Sequence, residues 1–482
     1  MVTAMGHESS NLTESSATSP GDETRTREFL AIMAGSLGSS GQVSANNVSV
    51  SDSESLASVF PVSDFAAAAV ATAGVAVADL TASAFGVRPH VAADRRLASL
   101  WFRISVRPID WTLPASWDPI AGDYQTADGW IRLHTNAPHH RAAALSVLCV
   151  PGEKRAVAAA VAHWKAEELE TAIVDNNGCA AAMRSLSQWQ MHPQGKAVVR
   201  EPLIDVRATA DFAAPLSLTT ASRPLQGVRV LDLTRVLAGP VATRFLAGLG
   251  AEVLRIDPPT WDEPAVVPDV TLGKHCARLD LRDAHGRATL IGLLRRADIL
   301  VHGFRSNALD NLGLDDRLRR ETRPGLVDVS LDAYGWTGPW RHRRGFDSLV
   351  QMSAGIADAG MKTLSRDRPT PLPVQALDHA TGYLLAAAAI RGLRERIETG
   401  RGFVGRTSLA RMAELLVSAP AAGMLGNLGD AEEPDWAEGV EATDFGLARR
   451  LRSPLTIAST PLQWDRPATK LGSAPPSWQR PF

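Results

Sequence analysis

Between residues 228 and 331, short apolar strands alternate with helices, and this restricts the 482-residue chain more than any other feature. Val228-Arg229-Val230-Leu231-Asp232-Leu233 reads as a strand, AGPVATRFLAGLGA as a turn and helix, and Glu252-Val253-Leu254-Arg255-Ile256 as a second strand. Arg278-Leu279-Asp280-Leu281 precedes a helix at 283–296, and further strands follow at 299–301 and 326–331. Strands apolar on both faces and joined by helices predict an α/β domain with a Rossmann-like, mostly parallel sheet. No G-x-G-x-x-G follows the first strand, where Ala238-Gly239-Pro240 stands instead. A dinucleotide of the usual kind, and a dehydrogenase, are therefore not indicated.

The stretch PLPVQALDHATGYLLAAAAIRGLRERIETG, residues 371–400, carries the candidate chemistry. Pro371 and Pro373 keep its start extended. Ala380, Leu384, Leu385, Ala388, Ile390 and Leu393 then recur at helical spacing, and Gly400 is a plausible stop. Asp378 falls where the helix should begin. There it serves either as an N-cap or as a carboxylate nucleophile beside free amides that stabilise an oxyanion.

A second Asp-led, alanine-rich helix begins near Asp64, in PVSDFAAAAVATAGVAVADL. From Asp64 to Arg96-Leu97-Ala98 is 32 residues, and from Asp378 to Arg411-Met412-Ala413 is 33. This spacing reads as a weak internal repeat, with Asp64 as a vestigial cap. Residues 1–55 are rich in Ser, Thr, Asn and Gly and predict disorder or loose covering structure, with one helical turn near Arg27–Met33. Residues 106–205 predict a small α+β domain, with a hairpin turning at Asp128-Gly129 and helices near 139–148, 156–164 and 167–174. NNGCAAAMRSLSQWQMHPQGK reads as a turn and helix, and adjacent His139 and His140 as surface residues. The expected plan is thus a degenerate copy of the Asp-helix region at 56–105, the small domain, and a linker at 206–223. A large domain at 224–420 and a C-terminal linker and tail at 421–482 complete it.

Net charge is −2, so composition gives no argument for nucleic acid or a membrane surface as partner. Cys149, Cys179 and Cys276 lie far apart without metal-type spacing, and no metal is expected. Free cysteines and an acidic start without a basic-then-apolar signal suit a reducing cytoplasm. The apolar runs near 65–80 and 383–393 read as too short or too weak to span a bilayer.

LQGVRVLDLTRVLAGPVATRFLAGLGAEVLRIDPP closely resembles the opening of the family III (CaiB/BaiF-type) CoA-transferases. LGKHCARLDLRD, ADILVHGFRSNALDNLGLD, VDVSLDAYGWTGPWRHRRGFD and DHATG follow in the family's order. The resemblance is strong from about Pro224 to Leu416, and the C-terminal tail shares it more weakly. The segment at 123–199 looks like the family's small domain, placed ahead of the large one rather than after it. The chain thus resembles a rearranged pair of half-copies. Family members form interlocked dimers, so the resemblance implies a homodimer, or the same topology rebuilt within one polypeptide.

The resemblance makes Asp378, in D-x-A-T-G, the catalytic aspartate, with an ordinary pKa of roughly 4. It implies coenzyme A thioesters and a carboxylic acid acceptor as substrates. Val236, Leu237, Ala238 and Pro240 match the turn beside the cofactor, and Arg255, Lys274 and Arg305 are the candidate phosphate ligands. Thr381 and Gly382 are expected to let the helix start approach a ligand. Ser306-Asn307 and Asn311 depart from the family's usual Pro-Gly and arginine. An α-methylacyl-CoA racemase is the nearest alternative, but its histidine-aspartate step is here Phe346-Asp347, and Phe346 cannot carry a proton. A non-catalytic CoA-binding subunit is the other reading.

Overall fold

The computed structural model describes residues 20–39, 47–51, 54–213, 216–421 and 426–479. The chain begins with α1 (Pro20–Ser36), β1 (Val48–Ser51), α2 (Val62–Phe85), β2 (Val91–Asp94), α3 (Arg95–Trp101) and β3 (Val106–Pro108). Contrary to the disorder expected for residues 1–55, α1 is a long helix. Phe29, Leu30 and Met33 on one side of it are buried, and Phe29 meets Phe65 of α2 edge-on at 5.3 Å. A Ser-rich flank hid this apolar spacing; residues 1–19, 40–46, 52 and 53 lie outside the described ones.

Helix α2 corrects another expectation, because it is long and apolar enough to cross a membrane by length and composition. Yet 94% of its most apolar window is buried inside the protein, as in a core helix.

The small α+β unit holds the hairpin β4 (Gly122–Gln125) and β5 (Trp130–Leu133), then α4 (Pro138–Leu148), α5 (Lys154–Val161) and α6 (Ala166–Asp175). Ile131, Leu133, Val157, Leu169 and Ile173 form its core. Its third strand, β6 (Ala180–Ala182), pairs antiparallel with β5. The sequence read these alanines as helical; strand pairing overrides their propensity. α7 (Leu186–Met191) and α8 (Pro193–Arg200) lead out of the unit.

The large domain contains β7 (Asp205–Phe212), β8 (Arg229–Leu233), α9 (Ala238–Gly248), β9 (Glu252–Asp257), α10 (Val267–Val270) and β10 (Lys274–Arg278). It continues with α11 (Ala284–Leu294), β11 (Ile299–His302), α12 (Asp316–Thr322), β12 (Val327–Asp332), α13 (Asp347–Ser353) and α14 (Ile356–Thr363). α15 (Ala376–Thr399), β13 (Arg401–Ser408) and α16 (Leu409–Val417) close it. The sheet order is β10-β9-β8-β11-β12-β13-β7. Its first six strands are parallel and follow the 3-2-1-4-5-6 order of a doubly wound sheet. The expected linker at 206–223 instead opens with β7, which pairs antiparallel with β13 and covers the sheet edge.

Helix α15 crosses from β12 to β13 and is buried along nearly its whole length between the sheet, α9 and α2. Gly382 permits its close packing: a Cβ there would lie 2.4 Å from the Ala238 carbonyl oxygen and 2.9 Å from Val241. The expected role of this glycine toward a ligand is therefore replaced by one in helix contact. Gly382→Ala should cost about 1–3 kcal/mol, read as a lower urea midpoint.

The internal repeat is visible in three dimensions. α2 and α15 each have 24 residues, begin after a residue with φ −76° and end on a left-handed glycine, Gly86 or Gly400, with φ 73°. Asp64 and Asp378 are the third residues of their helices, and Asp94 and Ser408 cap the helices that follow. β2 pairs parallel with β1 and antiparallel with β16 (Leu455–Ile457), as β13 does with β12 and β7. The expected C-terminal linker and tail are thus partly sheet. β14 (Trp436–Thr443) and β15 (Gly446–Leu451) form a hairpin, and β15 pairs with β3.

Candidate active site

In a doubly wound sheet, ligands sit beyond the carboxyl ends of the strands where their order reverses, here between β8 and β11. A cavity of about 710 Å³ lies there. Its floor is the strand ends at Leu233, Asp257, Leu279, Gly303 and Asp332. A second cavity of about 570 Å³ is walled by α3's end at Phe102, the 115–118 loop, His134 and Phe346. Asp378, Val236 and Phe346 line both, so the Asp378 carboxyl stands where the two chambers share a wall.

The helix tip is built differently from a simple cap. Gln375 precedes the first turn and makes no side-chain cap, and Asp378 lies inside the helix. The free amide of Asp378 donates instead to Asp347 Oδ2 at 2.9 Å, from the first residue of α13. Asp347 also accepts from Gln351 Nε2. Among the described residues no donor or cation meets the Asp378 carboxylate, which remains for chemistry. By contrast Asp64, its counterpart in the repeat, accepts from Thr26 Oγ1 at 2.7 Å and from Arg95 Nε at 3.2 Å. It is an ion-paired core residue rather than a vestigial cap.

Burial raises the Asp378 carboxyl well above the usual carboxylate range, and the neighbouring Asp347 charge adds to this. That corrects the ordinary value expected from sequence. Burial also pushes Asp347 up, to about 6, against the hydrogen bonds it receives. His379 points away from this pair: it stacks on Phe102 at 4.8 Å and is pushed down to about 3 by burial, so it is neutral.

Val236 holds a left-handed φ of 63°, costly for a β-branched residue. Its amide donates to Glu263 Oε2 at 2.8 Å, and Glu263 is held by the Arg255 guanidinium and by Trp261 Nε1. Leu237 lines the second chamber and Ala238 the first. Pro240 is buried in the first turn of α9 and borders neither.

The cations separate into two kinds. Arg255 is wholly buried and satisfied by Asp257 and Glu263. Lys274 is wholly buried under α9, donating to Asp232 at 3.1 Å, Thr243 at 2.6 Å and the Pro240 carbonyl at 2.9 Å. Neither side chain reaches a chamber, so the structure places both as supports of the turn rather than at a phosphate. Arg305 does line the first chamber, and so do Arg235 and Arg344.

Arg235 and Asp347 escaped the sequence reading. Arg235 Nε is buried with no hydrogen-bond partner among the described residues, while its guanidinium stacks on Trp261 and Phe304 at 5.2 Å. The signal available was a basic residue directly after the first strand. His140, expected at the surface, is buried beside Phe346 and Cys179. Among the described residues no group of three potential metal ligands occurs.

Residues 225–444 match the sequence model of CoA-transferase family III. The chain is 29% identical to an acyl-CoA transferase of Gibberella moniliformis, over 59% of this chain and 54% of that protein. It is 31% identical to succinyl-CoA:glutarate CoA-transferase of Mus musculus, over 44% of this chain and 51% of that protein. It is 29% identical to the succinyl-CoA–L-malate CoA-transferase alpha subunit of Chloroflexus aurantiacus, over 50% and 58% of the two chains. A CaiB/BaiF family protein from Brucella suis aligns at 26% identity over 46% of this chain and 65% of that one, with a TM-score of 0.37. The chain spans about half the length of the curated relatives it matches. The similarity to CoA-transferase family III thus covers residues 225–444, from β8 through α16 to the start of the C-terminal hairpin.

Proposed function

We propose that the protein moves coenzyme A from an acyl-CoA thioester to a free carboxylic acid through covalent intermediates on Asp378. The observation that carries this reading is the carboxylate at the wall shared by two chambers, one rimmed by arginines. The first chamber suits the phosphates and pantetheine of CoA, with Arg235, Arg305 and Arg344 as its cations. The second then takes the acyl group and, in turn, the acceptor acid.

In this account an Asp378 carboxylate oxygen attacks the thioester carbonyl, the C–S bond breaks and CoA leaves as thiolate. The mixed anhydride is opened at the aspartyl carbonyl by that thiolate, which releases the first acid as its carboxylate and leaves an aspartyl-CoA thioester. The acceptor carboxylate attacks this thioester, expelling the thiolate and forming a new anhydride. Return of the thiolate to the acceptor's acyl carbon frees Asp378. No proton is consumed, so neutral His379 and His134 need not act as acids or bases. An anhydride survives only away from water, and the burial of Asp378 supports that.

Mass-spectrometric detection of a new acyl-CoA after mixing the protein with a donor acyl-CoA and a different free acid tests the proposal. Formation of the acceptor's thioester supports it; hydrolysis alone, or no reaction across a broad panel, opposes it. An interlocked homodimer is proposed on the same resemblance and is measurable by light scattering.

A further inference from the structure

The second chamber shows a charge inventory that its apolar walls alone do not reveal. Faces of Phe102, Trp117, Trp261 and Phe346, with Ile104 and Val374, give it an aromatic and aliphatic lining. Among the described residues its one lining cation is Arg103. That guanidinium already donates to the Gly429 and Leu428 carbonyls at 2.7 and 2.8 Å and lies 3.7 Å from Asp430. Against it stand the carboxyl groups of Asp118, Asp262, Glu263, Asp269, Asp347 and Asp378. Arg244 and Arg450 neutralise Asp269, Arg255 neutralises Glu263 and Arg141 lies 3.4 Å from Asp118, but these arginines are used up in doing so. His134 and His379 are both pushed by burial to about 3 and add no charge. The other polar side chains in its described lining, Ser116, Asn136, Ser348, Gln375 and the two histidines, are neutral.

We infer that this chamber takes the acyl group of an acid with a single carboxylate, apolar and aromatic or branched, and rejects dicarboxylic acids. The one carboxylate such an acid carries is spent on Asp378. A second would be buried among like charges with no uncommitted cation among the described lining residues, and a desolvated site penalises such a juxtaposition. The volume of about 570 Å³ falls within the range of sites for ligands larger than an acetyl group.

This inference rests on the transferase reading, so its test keeps the two apart. Full-length protein would be given a labelled free acid with its own unlabelled CoA thioester, for butyrate, phenylacetate, succinate and 4-carboxyphenylacetate. Label entering the thioester measures transfer without knowledge of the natural partner. Butyrate should exceed succinate, and phenylacetate its carboxylated analogue, by at least about 100-fold in kcat/KM, with phenylacetate at least equal to butyrate. Succinate exchanging as well as butyrate would overturn this inference while leaving the transferase reading intact. No exchange with any of the four, and no acyl adduct on Asp378, would overturn both.

Discussion

Asp378→Ala should lower kcat for CoA transfer by at least about 10³-fold, the scale seen when a covalent nucleophile is removed. The variant should fold, since the Asp378 carboxylate accepts no hydrogen bond or ion pair among the described residues. Its stability should even rise at neutral pH. Burial raises the native pKa of this carboxyl above its unfolded value. The folded state therefore holds the proton to higher pH than the unfolded chain does. Its contribution to stability is fully present at acid pH and is lost as pH rises through the raised value. Removing the group removes that loss, as expected where function keeps an uncomfortable charge in place. Thermal melts at pH 7 and pH 4 should show a gain for the variant only at the higher pH. Turnover retained in Asp378→Ala would reject the covalent account.

The second large effect is on pH dependence, through Asp347. In the proposed covalent route only the ionised Asp378 attacks, so activity should climb with pH along an acid limb lying above the ordinary carboxylate range of about 4. Part of that elevation comes from the Asp347 charge. Asp347→Asn removes the charge while keeping an oxygen for the Asp378 amide 2.9 Å away. The acid limb of kcat/KM should then move to lower pH. Asp347→Ala, which leaves the helix tip without its acceptor, should also lower kcat, by about 10-fold or more if positioning is lost. An unmoved acid limb in the Asn variant would show that the two carboxyls do not titrate together.

The fold was legible wherever one element explained its own residues. The apolar strands of the large domain, the hairpin at Asp128-Gly129 and the helix carrying Asp378 follow from local spacing and turn chemistry. What escaped depended on partners far along the chain. β7 opens a stretch that reads as a Pro/Ser/Thr/Ala linker until β13 offers it an edge. β16 is short and becomes a strand only against β2, more than three hundred residues earlier in the chain. The repeat around Asp64 was visible as spacing, but not that Arg95 and Thr26 would occupy its carboxylate.

The site divides in the same way. Asp378 stood out through the D-x-A-T-G resemblance, since a carboxylate near a helix start is by itself an ordinary cap. Asp347 did not, because its link to the Asp378 amide crosses from α13 to α15. Arg255 looked like a phosphate ligand from its place near the end of the second strand, and Lys274 from a motif that resembles the family's. Their side chains turn into the core to fix Glu263, Asp232 and the strained turn at Val236. Arg235, at the next turn, is placed at the cleft instead.

The most direct test of the central claim is peptide mapping after the full-length protein meets an acyl-CoA and is quenched with hydroxylamine. The account predicts a hydroxamate on Asp378, formed only when the thioester is present and absent from Asp378→Ala. A hydroxamate on another carboxylate, or transfer that proceeds while Asp378 stays unmodified, would contradict it.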